Sequence, residues 1–120
     1  MTEKDKELLL KDLCGRLPYK IKGYVNGGIE TLEGINTIDS IVEYGIFCNV
    51  SIDEFTPYLF PLSSMTEEQK QEYQYITEKL RYHPTYSISD SIDWLHKNHF
   101  DYRGLIPMGL AIDATGLNIY

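Results

Sequence analysis

The chain has 120 residues, of which 42% are hydrophobic and 24% charged, a composition that predicts one folded domain over residues 1–120. Its formal net charge of −7 disfavours direct binding to nucleic acids or anionic membranes, since both attract Lys and Arg. No apolar run is long enough to cross a membrane and no signal-peptide core precedes residue 15, so we expect a cytoplasmic protein.

The first 17 residues have the pattern of an amphipathic helix. Thr2 and Asp5 have the spacing of a capping box, and Gly15 followed by Pro18 predicts where the helix ends. Both charge signs occur on the polar side, which favours packing on the core over a membrane-surface role. The apolar stripe consists of Leu9, Leu10, Leu13 and Leu17.

Between Tyr19 and Leu62 the hydrophobic period changes from 3.6 to 2, which is typical of strands. The alternation in "IVEYGIFCNVSI" predicts one long strand that bends at Gly45. Shorter strands are predicted in "YKIKGYV" and "IETLEGINTI", with a turn at residues 26–28, and in "PYLFPL", which prolines bound at both ends. Short strands joined by tight turns predict a small curled antiparallel sheet or an SH3-like partial barrel.

Helical patterns return after the strands. Thr66 and Gln69 form a second capping-box pattern at the start of a helix that buries Tyr73, Ile76 and Leu80, and a third helix is predicted from about Ser89. The remainder is rich in glycine and apolar residues, which predicts an irregular segment packed against the core. The predicted fold class is therefore α+β: an N-terminal helix, the sheet, two C-terminal helices and an irregular tail.

The stretch "SIDWLHKNHFDYRGL" contains two histidines close to the only tryptophan. Ile88, Ile92, Leu95 and His99 share one narrow sector of a helical wheel, so His99 is interpreted as a packed residue at a helix end, with His96 at the edge of that sector. A metal site would need further ligands such as Asp101 or the distant His83, because an HxxH spacing supplies only two. The packed interpretation is favoured, and neither a metal nor a cofactor is predicted.

Arg103 admits two interpretations. It is placed to bind a carboxylate or phosphate beside Tyr102, or to pair with Asp101 or a helix C-terminus while Gly104 forms a turn; the second is favoured. If this stretch has a ligand or a partner, the candidate residues are Trp94, His96, His99, Asp101, Tyr102 and Arg103.

Catalytic patterns are weak throughout the chain. Cys14 and Cys48 have no CxxC spacing and apolar neighbours, so they are interpreted as small buried residues. The serines fit helix-capping positions, and no phosphate-binding glycine motif is present. We predict no catalytic residues, and the chain is interpreted as non-enzymatic.

Three blocks of the chain, "KELLLKDLCGRLPY", "PYLFPLSSMTEEQK" and "IDWLHKNHFDYRGLIPMGLA", resemble a family of small uncharacterised proteins from gut anaerobic bacteria, their mobile elements and their phages. The family has no established activity, so the resemblance implies a biological context and not a mechanism. Lys20 stands where relatives often have glycine, and Phe60 stands where arginine is common, which weakens an anion site on that strand.

Two functional hypotheses follow. The first is a non-enzymatic module that binds another protein, as an accessory factor of a phage or mobile element acting on a host protein; ten tyrosines and an acidic surface favour it. The alternative is a small metal- or nucleotide-binding protein with a site around His96, His99, Asp101 and Arg103. The sequence leaves the oligomeric state open.

Overall fold

The structure is a computed structural model that describes the backbone of residues 1–82 and 88–120 and the side chains of residues 1–79 and 89–120. His83, considered above as a distant metal ligand, lies outside the described residues, as do the side chains of Leu80 and Ile88, which the sequence places in buried stripes. The predicted α+β class is confirmed. In chain order the elements are α1 (Glu3–Arg16), β1 (Lys22–Val25), β2 (Gly28–Asn36), β3 (Ile41–Tyr44), β4 (Cys48–Ser51), β5 (Thr56–Pro61), α2 (Glu67–Tyr82), α3 (Ile88–Lys97), β6 (Phe100–Asp101) and β7 (Ile112–Asp113).

Helix α1 begins and ends where the sequence predicts. The Thr2 hydroxyl accepts a hydrogen bond from the Asp5 amide at 3.1 Å, and the Asp5 carboxylate accepts one from the Thr2 amide at 3.2 Å, which completes the capping box. The predicted stop, Gly15 followed by Pro18, is confirmed, because α1 ends at Arg16 between them and then tightens into a 3-10 helix, Leu17–Tyr19. Gly15 also packs against a side chain of α3.

In the described part of the chain, seven strands form one open sheet in the order β4-β3-β2-β1-β5-β6, with β7 also paired to β5. Neighbouring strands are antiparallel in the pairs β4–β3, β3–β2, β2–β1 and β1–β5, whereas β6 and β7 both run parallel to β5. Asn26 and Gly27, with φ of 49° and 80°, make the predicted tight turn between β1 and β2. The strand bounded by prolines is β5, and it lies inside the sheet between β1 and β6.

The predicted long strand over residues 41–52 is wrong: the chain reverses there and forms the β3–β4 hairpin. Tyr44 pairs with Cys48 across three turn residues, of which Gly45 and Phe47 have φ of 58° and 61°. Positions 44 and 48 face each other and differ by an even number, so side chains on one face still alternate at even positions through the turn. Periodicity alone therefore could not distinguish a bent strand from this hairpin.

Apolar side chains are buried in two clusters. The larger lies between α1 and the sheet and includes Leu9, Leu13 and Ile21, while the smaller joins α3 to β6 through Trp94, Leu95 and Phe100. Helix α2 covers the smaller cluster. The residues it contributes were predicted from its periodicity: Tyr73 and Ile76.

Both cysteines are exposed free thiols, so their interpretation as buried residues is wrong. Cys14 follows the fully buried Leu13, and one residue of an α-helix is a rotation of about 100°, which turns Cys14 toward solvent. Cys48 begins β4, the edge strand, beyond the larger buried cluster.

Gly23 in β1 provides the first test of this packing. A Cβ atom there would lie 2.3 Å from Cζ of Phe55, whose side chain is buried across the strand. We predict that Gly23→Ala lowers the free energy of unfolding by about 1 to 3 kcal/mol, because the buried ring cannot move aside freely. Urea denaturation measures the change.

The matched control is Gly28→Ala, at the start of the next strand, where a Cβ atom would meet nothing within 4 Å. This variant is expected to keep the wild-type stability within about 0.5 kcal/mol. Equal effects of the two substitutions would contradict the packing described for Phe55.

Candidate functional site

A buried ion pair on α1 organises the region of the sequence-predicted site. Asp12 and Arg16 lie one turn apart, both fully buried, and Arg16 Nε donates to Asp12 Oδ2 at 2.6 Å. The other carboxylate oxygen of Asp12 accepts from Arg103 Nε at 3.0 Å. Arg16 Nη2 also donates to the Phe100 carbonyl oxygen at 2.6 Å. The Asp12 carboxylate thus connects α1 with the loop after β6, and Arg16 connects α1 with β6 itself.

Arg103 therefore has a different partner from the one predicted. The prediction paired its guanidinium with Asp101 or a helix C-terminus, whereas the guanidinium pairs with Asp12. Only the Arg103 backbone amide donates to Asp101, at 3.3 Å. Asp12 is 91 residues away in sequence, so local spacing did not indicate it. The predicted turn at Gly104 is confirmed, with φ of 78°.

The Tyr102 ring lies beside both guanidinium groups. Arg103 Cζ is 4.9 Å and Arg16 Cζ 5.5 Å from the ring centroid, distances at which a cation is attracted to an aromatic face. The Tyr102 hydroxyl is 2.7 Å from His96 Nε2. Burial raises the pKa of Tyr102 above its ordinary value, so its hydroxyl stays protonated at neutral pH.

His96 is buried against the backbone of α1. A Cβ atom on Gly15 would lie 2.5 Å from Cε1 of the His96 ring, which explains the glycine inside this helix. Burial, and after it the positive charge of Arg16, lowers the pKa of His96 below 6.5, so the ring is neutral at pH 7. His96 is only 5% exposed and lies well inside the protein, not at the edge of the packed face.

Asp101 is buried and caps the loop that follows it. Its carboxylate accepts hydrogen bonds from three backbone amides: Arg103 at 3.3 Å, Leu105 at 3.0 Å and Ile106 at 2.9 Å. A carboxylate with several amide donors holds a tight turn, and its lone pairs are engaged by those donors. A metal ion at Asp101 would therefore have to compete with the fold of this loop.

His99 follows α3 in the left-handed region, with φ of 61°, and its ring stacks on Tyr120 with centroids 3.7 Å apart. The Tyr120 hydroxyl accepts from the Lys22 amide at 2.9 Å and donates to the Tyr58 carbonyl at 2.8 Å, which bridges β1 and β5. Burial, Arg16 and Lys22 lower the pKa of His99 to about 4. The His99 ring is thus packed and neutral at pH 7.

Trp94 lies apart from these polar groups. Its ring stacks on Phe100 with centroids 5.7 Å apart and contacts Tyr73 of α2 at 5.4 Å. It is 8% exposed and forms the centre of the smaller buried cluster. Of the six candidate residues, the structure brings His96, Tyr102 and Arg103 into direct contact, and Asp101 and His99 flank them.

Asp12 and Arg16 were missed by the sequence analysis, although a signal was present. Asp12 lies three residues after Leu9, and Arg16 lies three residues after Leu13, so both charges fall within the apolar stripe. Two opposite charges at i and i+4 inside an apolar face are typical of a buried ion pair, because an unpaired buried charge is costly.

The network leaves three buried nitrogens without a hydrogen-bond partner among the described residues: Arg16 Nη1, His96 Nδ1 and His99 Nδ1. Within residues 1–82 and 88–120, no group of three or more metal-ligating side chains comes together. The same residues include no helix long and apolar enough to span a bilayer. The charges of this region are neutralised internally, since two arginines flank Asp12 and backbone amides surround Asp101.

Comparison of the chain with protein-family models, curated proteins and solved structures gives no match. Support for a function therefore comes from the exposed surface of the molecule itself. A pocket of about 300 Å³ lies along the β3–β4 hairpin and is lined by Glu33, Glu43, Gly45, Phe47, Cys48 and Asn49.

The buried ion pair between Asp12 and Arg16 predicts that removing one of its charges strongly destabilises the fold. Asp12→Asn is expected to lower the free energy of unfolding by about 3 to 5 kcal/mol, because the fully buried Arg16 would keep a charge without a counter-ion. Glu7→Gln removes an exposed carboxylate of the same helix and serves as the control. Similar urea midpoints for the two variants would contradict the ion pair.

His99 predicts a pH dependence. Its pKa is about 4 in the folded protein and about 6.5 in the unfolded chain, so between these values protons bind the unfolded chain preferentially. Stability is therefore lost as the pH falls through this window. His99→Asn, which tolerates the positive φ, is expected to lose less stability than wild type between about pH 7 and about pH 4.5. Urea titrations at several pH values measure this, and parallel curves would contradict it.

Proposed function

We propose that the protein is a small non-enzymatic module that binds another protein through the tip of the β3–β4 hairpin, residues 45–47. The observation that carries the proposal is Phe47, whose side chain is 99% exposed and whose backbone has φ of 61°. Ile46 beside it is 83% exposed. These two large apolar side chains project from a turn, where the fold gives them no packing.

The fold itself gives no reason for phenylalanine at this position. The left-handed region costs a residue with a Cβ atom about 1 kcal/mol, and glycine or asparagine adopts it more readily. Phe47 gains no burial that would offset this cost. A residue that is unfavourable for the fold and exposed to water is best explained by a contact outside the chain, because backbone strain of this kind clusters at functional sites.

The internal polar network supports a binding role over a chemical one. The side chains best suited to catalysis or ligand binding already make hydrogen bonds within the same chain: His96, Asp101 and Arg103. The resemblance to small proteins of gut anaerobes and their phages supports the finer proposal of an accessory factor that acts on a host protein.

Site-specific cross-linking tests the hairpin tip. A photoreactive phenylalanine analogue at Phe47, in cells that naturally make the protein, is expected to form an adduct with one defined polypeptide, identified by mass spectrometry. The control position is Tyr75 on α2, which is 57% exposed and is expected to give no such adduct. Identical adducts from both positions, or none from Phe47, would contradict the proposal.

A second variant separates binding from folding. Phe47→Asn is expected to leave the free energy of unfolding unchanged or slightly higher, because asparagine tolerates a positive φ and no buried contact is lost. The same variant is expected to lose the partner identified by cross-linking. Retained binding would contradict a role of the Phe47 ring in the interface, and a clear loss of stability would show that the ring serves the fold.

The alternative function is a metal or nucleotide site at His96, His99, Asp101 and Arg103. It requires these groups to release their present partners. Native mass spectrometry with elemental analysis distinguishes the two proposals, because a bound metal or nucleotide that is lost in His96→Ala but retained in Phe47→Asn would favour this alternative.

A further inference from the structure

Strand β4 is an open edge of the sheet. It ends the strand order, and within the described residues it pairs only with β3. The Ile52 amide, just after β4, donates to the Ser40 carbonyl on the β3 side. Backbone groups of successive strand residues point to opposite edges, so the amides and carbonyls of Asn49 and Ser51 face the open side. These groups are ready to pair with a further strand.

The side chains of the four-residue strand β4 carry none of the usual obstacles to such pairing. Native edge strands are often protected by a central lysine, a proline or a bulge. Strand β4 has the sequence "CNVS", contains no charge and no proline, and pairs with β3 in regular register. The surface pocket described above lies along the same hairpin and adds to the surface that a partner could contact.

Two carboxylates mark the same surface. Glu33 and Glu43 line the pocket beside Phe47, and neither belongs to an ion pair within the described residues. The Glu43 carboxylate lies over Gly34, where a Cβ atom would be 2.6 Å from Oε2. Glu33 lies where the register of β2 shifts between Leu32 and Gly34. The outer surface beside the edge is therefore negative and has an exposed aromatic ring.

We infer that β4 binds an extended, basic segment of a partner protein as an added strand, with alternate lysine or arginine side chains directed at Glu33, Glu43 and the Phe47 ring. Backbone hydrogen bonds to Asn49 and Ser51 supply the strand pairing, and the carboxylates select the charge. The inference deepens the proposed function and rests on it.

A second copy of this chain is a poorer occupant. Each copy has a formal net charge of −7, so two edges approach against electrostatic repulsion. Pairing two β4 strands would also bring together two surfaces that both contain Glu33 and Glu43. A basic segment gains charge complementarity at the same place where a second copy loses it.

Synthetic peptides are the probe. An eight-residue peptide of alternating lysine and valine is expected to bind the full chain, as measured by isothermal titration calorimetry. A peptide of the same charge with a central proline, and a peptide of alternating glutamate and valine, are each expected to bind at least about tenfold more weakly.

A substitution at Ser51 removes one hydrogen-bond donor from the open edge without distorting the strand. Its φ of −61° already matches that of proline, so Ser51→Pro deletes one outward amide with little strain. The affinity for the lysine–valine peptide is expected to fall about tenfold, because a ladder hydrogen bond is lost and the ring blocks the approach of the added strand. Ser51→Ala keeps the amide and is the matched control, with unchanged affinity.

The charge contribution is tested separately. Glu33→Gln combined with Glu43→Gln is expected to weaken binding about tenfold and to flatten its dependence on salt. Glu68→Gln combined with Glu72→Gln changes the net charge equally on exposed positions of α2 and is expected to have little effect. Circular dichroism and urea denaturation confirm that each variant is folded.

Binding of the lysine–valine peptide to Ser51→Pro with wild-type affinity would overturn the inference, as would equal binding of the glutamate–valine peptide. Concentration-dependent dimers in sedimentation experiments that disappear in Ser51→Pro would identify a second copy as the occupant and would also overturn it. If the Phe47 cross-link persists while no basic peptide binds, the partner class is wrong and the protein-binding proposal stands. If the cross-link is absent, the proposed function itself fails.

Discussion

The carboxylate of Asp12, held between the guanidinium groups of Arg16 and Arg103, is the contact on which the arrangement of α1 and the C-terminal segment depends. It joins residues 91 positions apart in sequence. A buried ion pair of this kind tolerates little displacement, because its attraction compensates for lost hydration only in good geometry. The guanidinium of Arg16 also holds β6, through its hydrogen bond to the Phe100 carbonyl.

The region that looked like a metal or ligand site becomes intelligible from this ion pair. His96 packs on Gly15 one residue before Arg16, and Tyr102 lies against both guanidinium groups. Neutral imidazole is the form that suits a buried position beside arginines, since a second positive charge there would be repelled. The polar side chains of this stretch are thus directed inward, toward partners within the chain.

Features set by a few neighbouring residues were predictable from the sequence. The capping boxes at Thr2 and Thr66 and the turn at Asn26 depend on hydrogen bonds or backbone angles within three or four positions. The α+β class followed from the change of hydrophobic period. Both the period and these local signals remain visible without knowledge of tertiary contacts.

Features that depend on distant contacts were not predictable in this way. The partner of Arg103 is far away in sequence, and so is the His96 ring that packs against Gly15. The β3–β4 hairpin was not predicted for a different reason. Its three-residue turn preserves the alternation of side chains between the two faces, so Ile46 and Phe47 had the pattern of strand residues. The candidate residues named from the sequence lie between Trp94 and Arg103, and the exposed tip of the hairpin was not among them.

The region around Asp12 and the β3–β4 hairpin place polar and apolar groups in opposite environments. Around Asp12, charges are buried and neutralised by partners in the same chain. At the hairpin, large apolar side chains face water, and so do backbone groups of β4 that pair with no other strand among the described residues. An unprotected edge normally invites association with identical copies. Here the net charge of −7 opposes that association, while Glu33 and Glu43 favour a basic strand. Charge can thus leave the edge open and still restrict what binds to it.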